Sequence, residues 1–204
     1  NDPIEELERI YVLFSEKAGE DPSLEDLARE ELKKLQQGDE RNLALWKEFI
    51  DISIKEYNKV YERLDVHFDL YNGESFYNSL MPQVLNDLKE KGLAIEDQEA
   101  LVVFFDEETK LNPCIVQKKD GSFLYSTSDL ATLKYKGEVL NIRKAVYVTD
   151  ERQQDHFRQV FKISELLGEH YNIEKAHVWV GIMRFGNGVI LSSRGGNIIR
   201  LVDL

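Results

Sequence analysis

Three polar clusters separate apolar runs in this chain, and each holds residue types that can do chemistry: YSTSD (125–129), TDERQQDH (149–156) and SSRGGN (192–197). In the first, Asp129 offers a carboxylate and Tyr125 a phenol and a ring face, a pair that could hold a cationic side chain. The same Ser, Thr and Asp residues are also what a helix start uses to satisfy its free backbone N–H groups and positive dipole end. In the second cluster, Asp150 reads as a cap, while Gln153 in the first turn would point towards the same crevice. In the third, two glycines let backbone N–H groups approach a phosphate, and Arg194 adds a charge-assisted contact. Composition alone also allows an ordinary turn there.

The elements that must carry these clusters follow from hydrophobic periodicity. Leu7, Ile10, Tyr11 and Phe14 mark a first helix; Asp21 and Pro22 read as the N-cap and first position of a second, ending near Gly38. Trp46, Phe49, Ile50, Ile54, Tyr57, Val60, Tyr61 and Leu64 form one stripe of a long third helix, spaced for packing against a neighbour. Ser75 is expected to cap a helix through Phe76, Leu80, Val84 and Leu88 that stops at Gly92. Short runs rich in β-branched and aromatic residues then predict strands at 100–105, 114–117, 123–126, 145–148 and 177–181. A helix with Phe157, Val160, Phe161 and Leu167 lies between the last two and stops at Gly168. This order predicts an α/β fold of βαβ units around a parallel sheet buried on both faces. In such sheets ligands gather beyond the carboxyl ends of the strands, where all three clusters fall.

Composition narrows the class of function. The chain has 204 residues, and Lys plus Arg at 26 against Asp plus Glu at 38 gives a net charge of -12, which opposes broad binding to nucleic acid. No apolar run approaches the roughly 20 residues that span a bilayer. NDPIEELERI has neither the basic start nor the apolar stretch of a signal peptide, so a cytoplasmic protein is expected. A single cysteine, Cys114, and four histidines without zinc-type spacing argue against a disulfide or a structural metal. The chain starts without Met and stops in the apolar run IIRLVDL, and so reads as a piece of a longer protein.

Taken in order, GDERNLALWKEFI, FDLYNGESFY, KKDGSFLYSTSDLATLKY, YVTDERQQDHFRQVF, AHVWVGIM and LSSRGGNIIRLVDL resemble arginyl-tRNA synthetases, which are class I aminoacyl-tRNA synthetases. The resemblance covers most of the chain from about Asp21 onward, and the spacing between blocks fits as well as the blocks themselves. It implies a Rossmann-like catalytic domain that activates L-arginine with ATP and transfers it to tRNA(Arg). Residues 1–64 would be a helical segment, 65–122 a connecting helix and strands, and 123–204 the second half of the nucleotide-binding domain. By matching position, Tyr125, Asp129 and Gln153 would bind arginine, with Asp129 facing the guanidinium. Gly181 and Ile182 would lie near the adenine. Ser192, Ser193 and Arg194 would serve the ATP phosphates together with Mg²⁺.

Two departures qualify what the resemblance implies. Ile190 and Leu191 stand where the family's second signature loop has lysine and methionine, which throws phosphate stabilisation more heavily on Arg194 and backbone donors. The family's histidine-rich ATP turn is absent from these residues, as is the helical anticodon-binding domain. The chain alone is therefore expected to bind arginine or ATP weakly, as a monomer, and not to aminoacylate. A non-catalytic paralogue that binds arginine, a nucleotide or a protein partner is the competing expectation.

Overall fold

A computed structural model of the chain describes residues 3–181. They form two compact units, one up to Asp69 and one from Leu70 onward.

The first unit holds three helices, α1 (Pro3–Glu20), α2 (Ser23–Gln36) and α3 (Glu40–Arg63). Asp21 does the capping expected of it: its Oδ1 accepts from the Ser23 N–H at 3.0 Å, while Pro22 sits at helical φ -59 and ψ -19. Asp39 plays the same part for α3, accepting from the Asn42 N–H at 3.0 Å. Asn42 in turn ties α3 to α2 by donating to the Glu31 carbonyl at 2.9 Å. Trp46 and Phe49 of the predicted stripe face Leu32 and Leu35 of α2 across a shallow apolar groove. Both aromatics stay partly exposed.

The second unit contains α4 (Met81–Glu90), β1 (Ala94–Asp97), β2 (Ala100–Val103), β3 (Cys114–Gln117), α5 (Tyr125–Glu138), β4 (Lys144–Asp150), α6 (Gln154–Leu167) and β5 (Glu174–Val180). Its core is built from Val84 and Leu88 of α4, Leu130 and Leu133 of α5, Val160 and Ile163 of α6, and Val103 and Val116 of the strands, all fully buried. α5 is the central element. Ser126, Thr127, Ser128, Leu130, Ala131, Leu133 and Lys134 are all buried along it, so it has no simple solvent face.

The fold is α/β, but the sheet differs from the one expected. β4 and β5 do pair in parallel, in register from Lys144↔Glu174 to Asp150↔Val180, with α6 as the crossover. The other strands form a separate antiparallel sheet in the order β1-β2-β3. Its first strand went unread because AIED lacks a β-type composition, and because the hairpin loop is Gln98-Glu99. Both residues take positive φ, 48 and 65, as a two-residue primed turn requires, although neither is among the usual Asn or Gly formers. Among the described residues the parallel sheet is covered on one face only, and Val146, Val148, Val178 and Val180 are exposed. Two strands and one crossover helix can cover only one.

Two further expectations are corrected. FLYS (123–126) is no strand beyond an isolated bridge between Gln117 and Phe123, since the Leu124 carbonyl already accepts from the Thr127 and Ser128 N–H groups and opens α5. Ser75 is no helix cap. It lies inside a 3₁₀ turn, Glu74–Leu80, that runs into α4, where Pro82 in the first turn gives up no hydrogen bond. The predicted stop at Gly168 holds, with φ at +66 just beyond α6.

Candidate functional site

The clustered hydroxyls before Asp129 have a task other than helix capping. Leu124 occupies the cap position of α5 without a side-chain bond. Ser126 Oγ instead donates to the Ile115 carbonyl at 2.8 Å, and Thr127 Oγ1 donates to the Val116 carbonyl. Both acceptors lie on β3, so these two bonds fasten the first turn of α5 to a strand. Ser128 Oγ lies 2.9 Å from Glu74 Oε1 and 3.0 Å from the Tyr125 carbonyl, one proton shared between two acceptors. The start of α5 is thus anchored on two sides, which fixes where Tyr125 and Asp129 point.

They point into the same cavity. It measures about 460 Å³, and its wall includes Glu74, Tyr77, Tyr125, Asp129, Thr132 and Lys136. That volume is inside the roughly 300–1,000 Å³ range of small-molecule sites. Tyr125 is 70% exposed, an open ring and phenol at the mouth. Two carboxylates, Glu74 and Asp129, face one ammonium, Lys136, so the wall carries an excess of negative charge. Lys136 Nζ sits 4.3 Å from the centroid of the Tyr147 ring. Burial pushes the Lys136 ammonium below its ordinary range, and the charge of Asp129 opposes that push. Burial also drives the Tyr147 phenol well upward, assisted by the negative charge of Asp129, so it stays protonated. Its hydroxyl is buried without a hydrogen-bond partner among the described residues.

A third element closes on Asp129 from behind. His156, near the start of α6, places Nε2 2.6 Å from Asp129 Oδ2. Gln153 precedes it by three positions and lies exposed at the end of a 3₁₀ turn, Glu151–Gln153, outside the cavity wall. Asp150 caps that turn, accepting from the Arg152 N–H at 2.8 Å while also pairing with the Arg152 guanidinium. Hydrogen bonding to Arg152 holds the Asp150 carboxyl below its usual range.

The structure therefore brings Tyr125 and Asp129 together and leaves Gln153 exposed, outside the cavity wall. Gly181 follows the end of β5, exposed and with open space around it, beside the carboxyl end of β4. Ile182, Ser192, Ser193 and Arg194 lie outside the described residues. Glu74, Lys136 and His156 belong to the site although the sequence reading gave them no part in it. Glu74 lies in the FDLYNGESFY block and His156 ends the second polar cluster, and neither carries a local signal of its role. No spacing rule links either to a residue 54 or 27 positions away. Among the described residues no group of three or more His, Cys, Asp or Glu side chains could hold a metal ion.

An anchored helix start, an acid-lined cavity and a parallel β4-α6-β5 crossover with a polar cluster at its carboxyl end make up an α/β domain with a candidate ligand site. The family model for the catalytic domain of class I tRNA synthetases, the arginine (R) group, matches residues 1–204, and the chain belongs to that family. Among curated relatives, the arginine–tRNA ligase of Fusobacterium nucleatum is 61% identical over 201 residues, which are 98% of this chain and 35% of the relative. That of Clostridium beijerinckii is 48% identical over 202 residues, 99% of this chain and 36% of the relative. The chain thus spans about a third of the length of these proteins. Among solved structures, the arginyl-tRNA synthetase of Plasmodium falciparum superposes with a TM-score of 0.69 at 31% identity, covering 79% of this chain and 28% of that one. The Thermus thermophilus arginyl-tRNA synthetase superposes with a TM-score of 0.61 at 14% identity, a likeness of fold.

Proposed function

We propose that this chain supplies the amino-acid-binding half of an arginine–tRNA ligase site: L-arginine is activated with ATP to arginyl-adenylate and then passed to tRNA(Arg). The observation that carries this reading is the convergence of Tyr125 and Asp129 on one acidic cavity in a member of this family. A guanidinium entering the cavity meets the Asp129 carboxylate, with Glu74 as a second acceptor and the Tyr125 ring at the mouth. Hydrogen bonds to charged groups contribute about 1.5–3 kcal/mol each, and a neutral analogue would leave the carboxylate unpaired. In the chemical step the arginine carboxylate attacks the α-phosphorus of ATP and pyrophosphate leaves. Gly181, Ile182, Ser192, Ser193 and Arg194 are the residues proposed for ATP, and Gln153 for the polar end of arginine. Mg²⁺ enters with the ATP phosphates.

The test is a chimera in which this chain replaces the matching 201 residues of the Fusobacterium nucleatum ligase. Charging of tRNA(Arg) with arginine is the expected result, together with its loss in the Asp129→Asn version. A chimera that charges equally well with and without that carboxylate would refute the assignment.

A further inference from the structure

We propose that His156 is a positioning residue for arginine recognition: it fixes the rotation of the Asp129 carboxylate without cancelling its charge. The proposal rests on the reading of the cavity as an arginine site and deepens it.

The geometry supplies the first half of the argument. His156 Nε2 lies 2.6 Å from Asp129 Oδ2. A carboxylate oxygen can only accept, so the imidazole carries its proton on Nε2 in this contact. One lone pair of Oδ2 is thereby taken from the α6 side, and those of Oδ1 remain for an incoming cation. His156 itself is not on the cavity wall, so it acts through Asp129 and not on the ligand. The imidazole is held in turn, edge-on to the Phe157 ring at 5.1 Å and 75°, and Phe157 belongs to the core. Asp129 is on α5 and His156 on α6, so the bond also sets the spacing of the two helices at the cavity.

The choice of side chain supplies the second half. A Lys or Arg at this position would hold the carboxylate just as firmly, but its permanent charge would compete with the guanidinium. Imidazole donates a hydrogen bond while uncharged. The resident ammonium nearby, Lys136, is engaged with the Tyr147 ring. The site therefore fixes the carboxylate without placing a permanent cation on it.

The test uses the chimera described above, ¹⁵N-labelled at histidine and titrated with L-arginine, with L-citrulline as the neutral control. Four variants are compared after their spectra show a folded protein: Asp129→Asn, His156→Gln, His156→Leu and His156→Lys. Gln keeps an uncharged donor and should bind arginine within about 3-fold of the parent, while Leu and Lys should each weaken it about 10- to 100-fold, the scale of one hydrogen bond to a charged group. The His156 Nε2 resonance of the parent should move on addition of arginine and not of citrulline. A merely structural ion pair would instead tolerate Lys, and that pattern overturns the proposal. Unchanged affinity in His156→Leu, with affinity lost in Asp129→Asn, also overturns it while leaving the arginine site standing. If the parent gives no response, or Asp129→Asn binds normally, the site reading fails and takes the proposal with it. Should His156→Leu not fold, the Gln and Lys variants and the parent's Nε2 resonance still decide.

Discussion

Lys134 Nζ lies 2.6 Å from Asp87 Oδ2, joining the middle of α5 to α4, and the Tyr171 hydroxyl donates to the same carboxylate oxygen. Lys134 is 11% exposed in its side chain and Asp87 29%. This cluster lies apart from the cavity beside Asp129 and its business is to hold three elements together. Burial pushes the Asp87 carboxyl upward, but the hydrogen bonds from Lys134 and Tyr171 outweigh it and leave the group below the ordinary carboxylate range. A carboxyl with a lowered folded value stabilises the protein above its unfolded pKa of about 4, and that contribution is lost as pH falls through the folded value. Urea unfolding across a pH series should show this acid limb. Lys134→Met should cost about 3 kcal/mol, the low end for a broken buried pair because Asp87 keeps some solvent, and should flatten the limb.

Gly137 makes a second, purely steric prediction. A Cβ built on it would stand 1.9 Å from the His170 carbonyl oxygen, backbone against backbone. In an open helix Gly→Ala gains up to about 1 kcal/mol. Here the contact reverses the sign, and Gly137→Ala should lower unfolding free energy by about 2 kcal/mol or more, in the range of overpacked sites. Equal or greater stability in urea would show that the turn at Glu169–Tyr171 yields easily.

How much of this was legible in the sequence depends on the distance over which each signal acts. Helical stripes such as Trp46 to Leu64 and stops such as Gly168 are local, and they fell where periodicity put them. The β4-α6-β5 crossover was legible for the same reason. β1 was not, since its polar AIED run and its Gln98-Glu99 turn carry no compositional signal and are held by pairing with β2. The polar cluster at 126–128 was readable as important but not as what it is. Its hydroxyls look like caps, and only the position of β3 turns them into bonds to Ile115 and Val116. Residue type marked Asp129 and Tyr125 as a pair that could hold a cation and resemblance to a family supplied the arginine role, whereas the partner of Asp129 comes from another helix and is visible only in the structure.

Thr127 tests that third-party role. It is fully buried, and its hydroxyl serves the Val116 carbonyl, not the helix. Thr127→Val keeps the shape but strands a buried acceptor, so a loss of about 1–3 kcal/mol is expected, against about 1 kcal/mol for Thr127→Ser. Thermal or urea unfolding distinguishes the two. A cap would rank the two variants in the same order, so the size of the Val loss, beyond the roughly 1 kcal/mol of a lost cap, is what marks the stranded Val116 carbonyl.

Asp129→Asn separates function from stability. The amide oxygen of Asn can still accept from His156 Nε2, and the side chain has nearly the same volume, so unfolding free energy should change by less than about 1 kcal/mol. Binding is another matter, because the substitution replaces the carboxylate facing the cavity with a neutral group that also presents N–H donors to a cation made of donors. Arginine affinity should fall about 100-fold or more, and the preference for arginine over citrulline should shrink with it, since that preference comes from the charge. Calorimetry on the chimera described above measures both ligands on one protein. If arginine binding weakens but its margin over citrulline stays the same, the guanidinium is being read by another carboxylate of the wall, and Glu74, held by Ser128 at 2.9 Å, is the residue to substitute next.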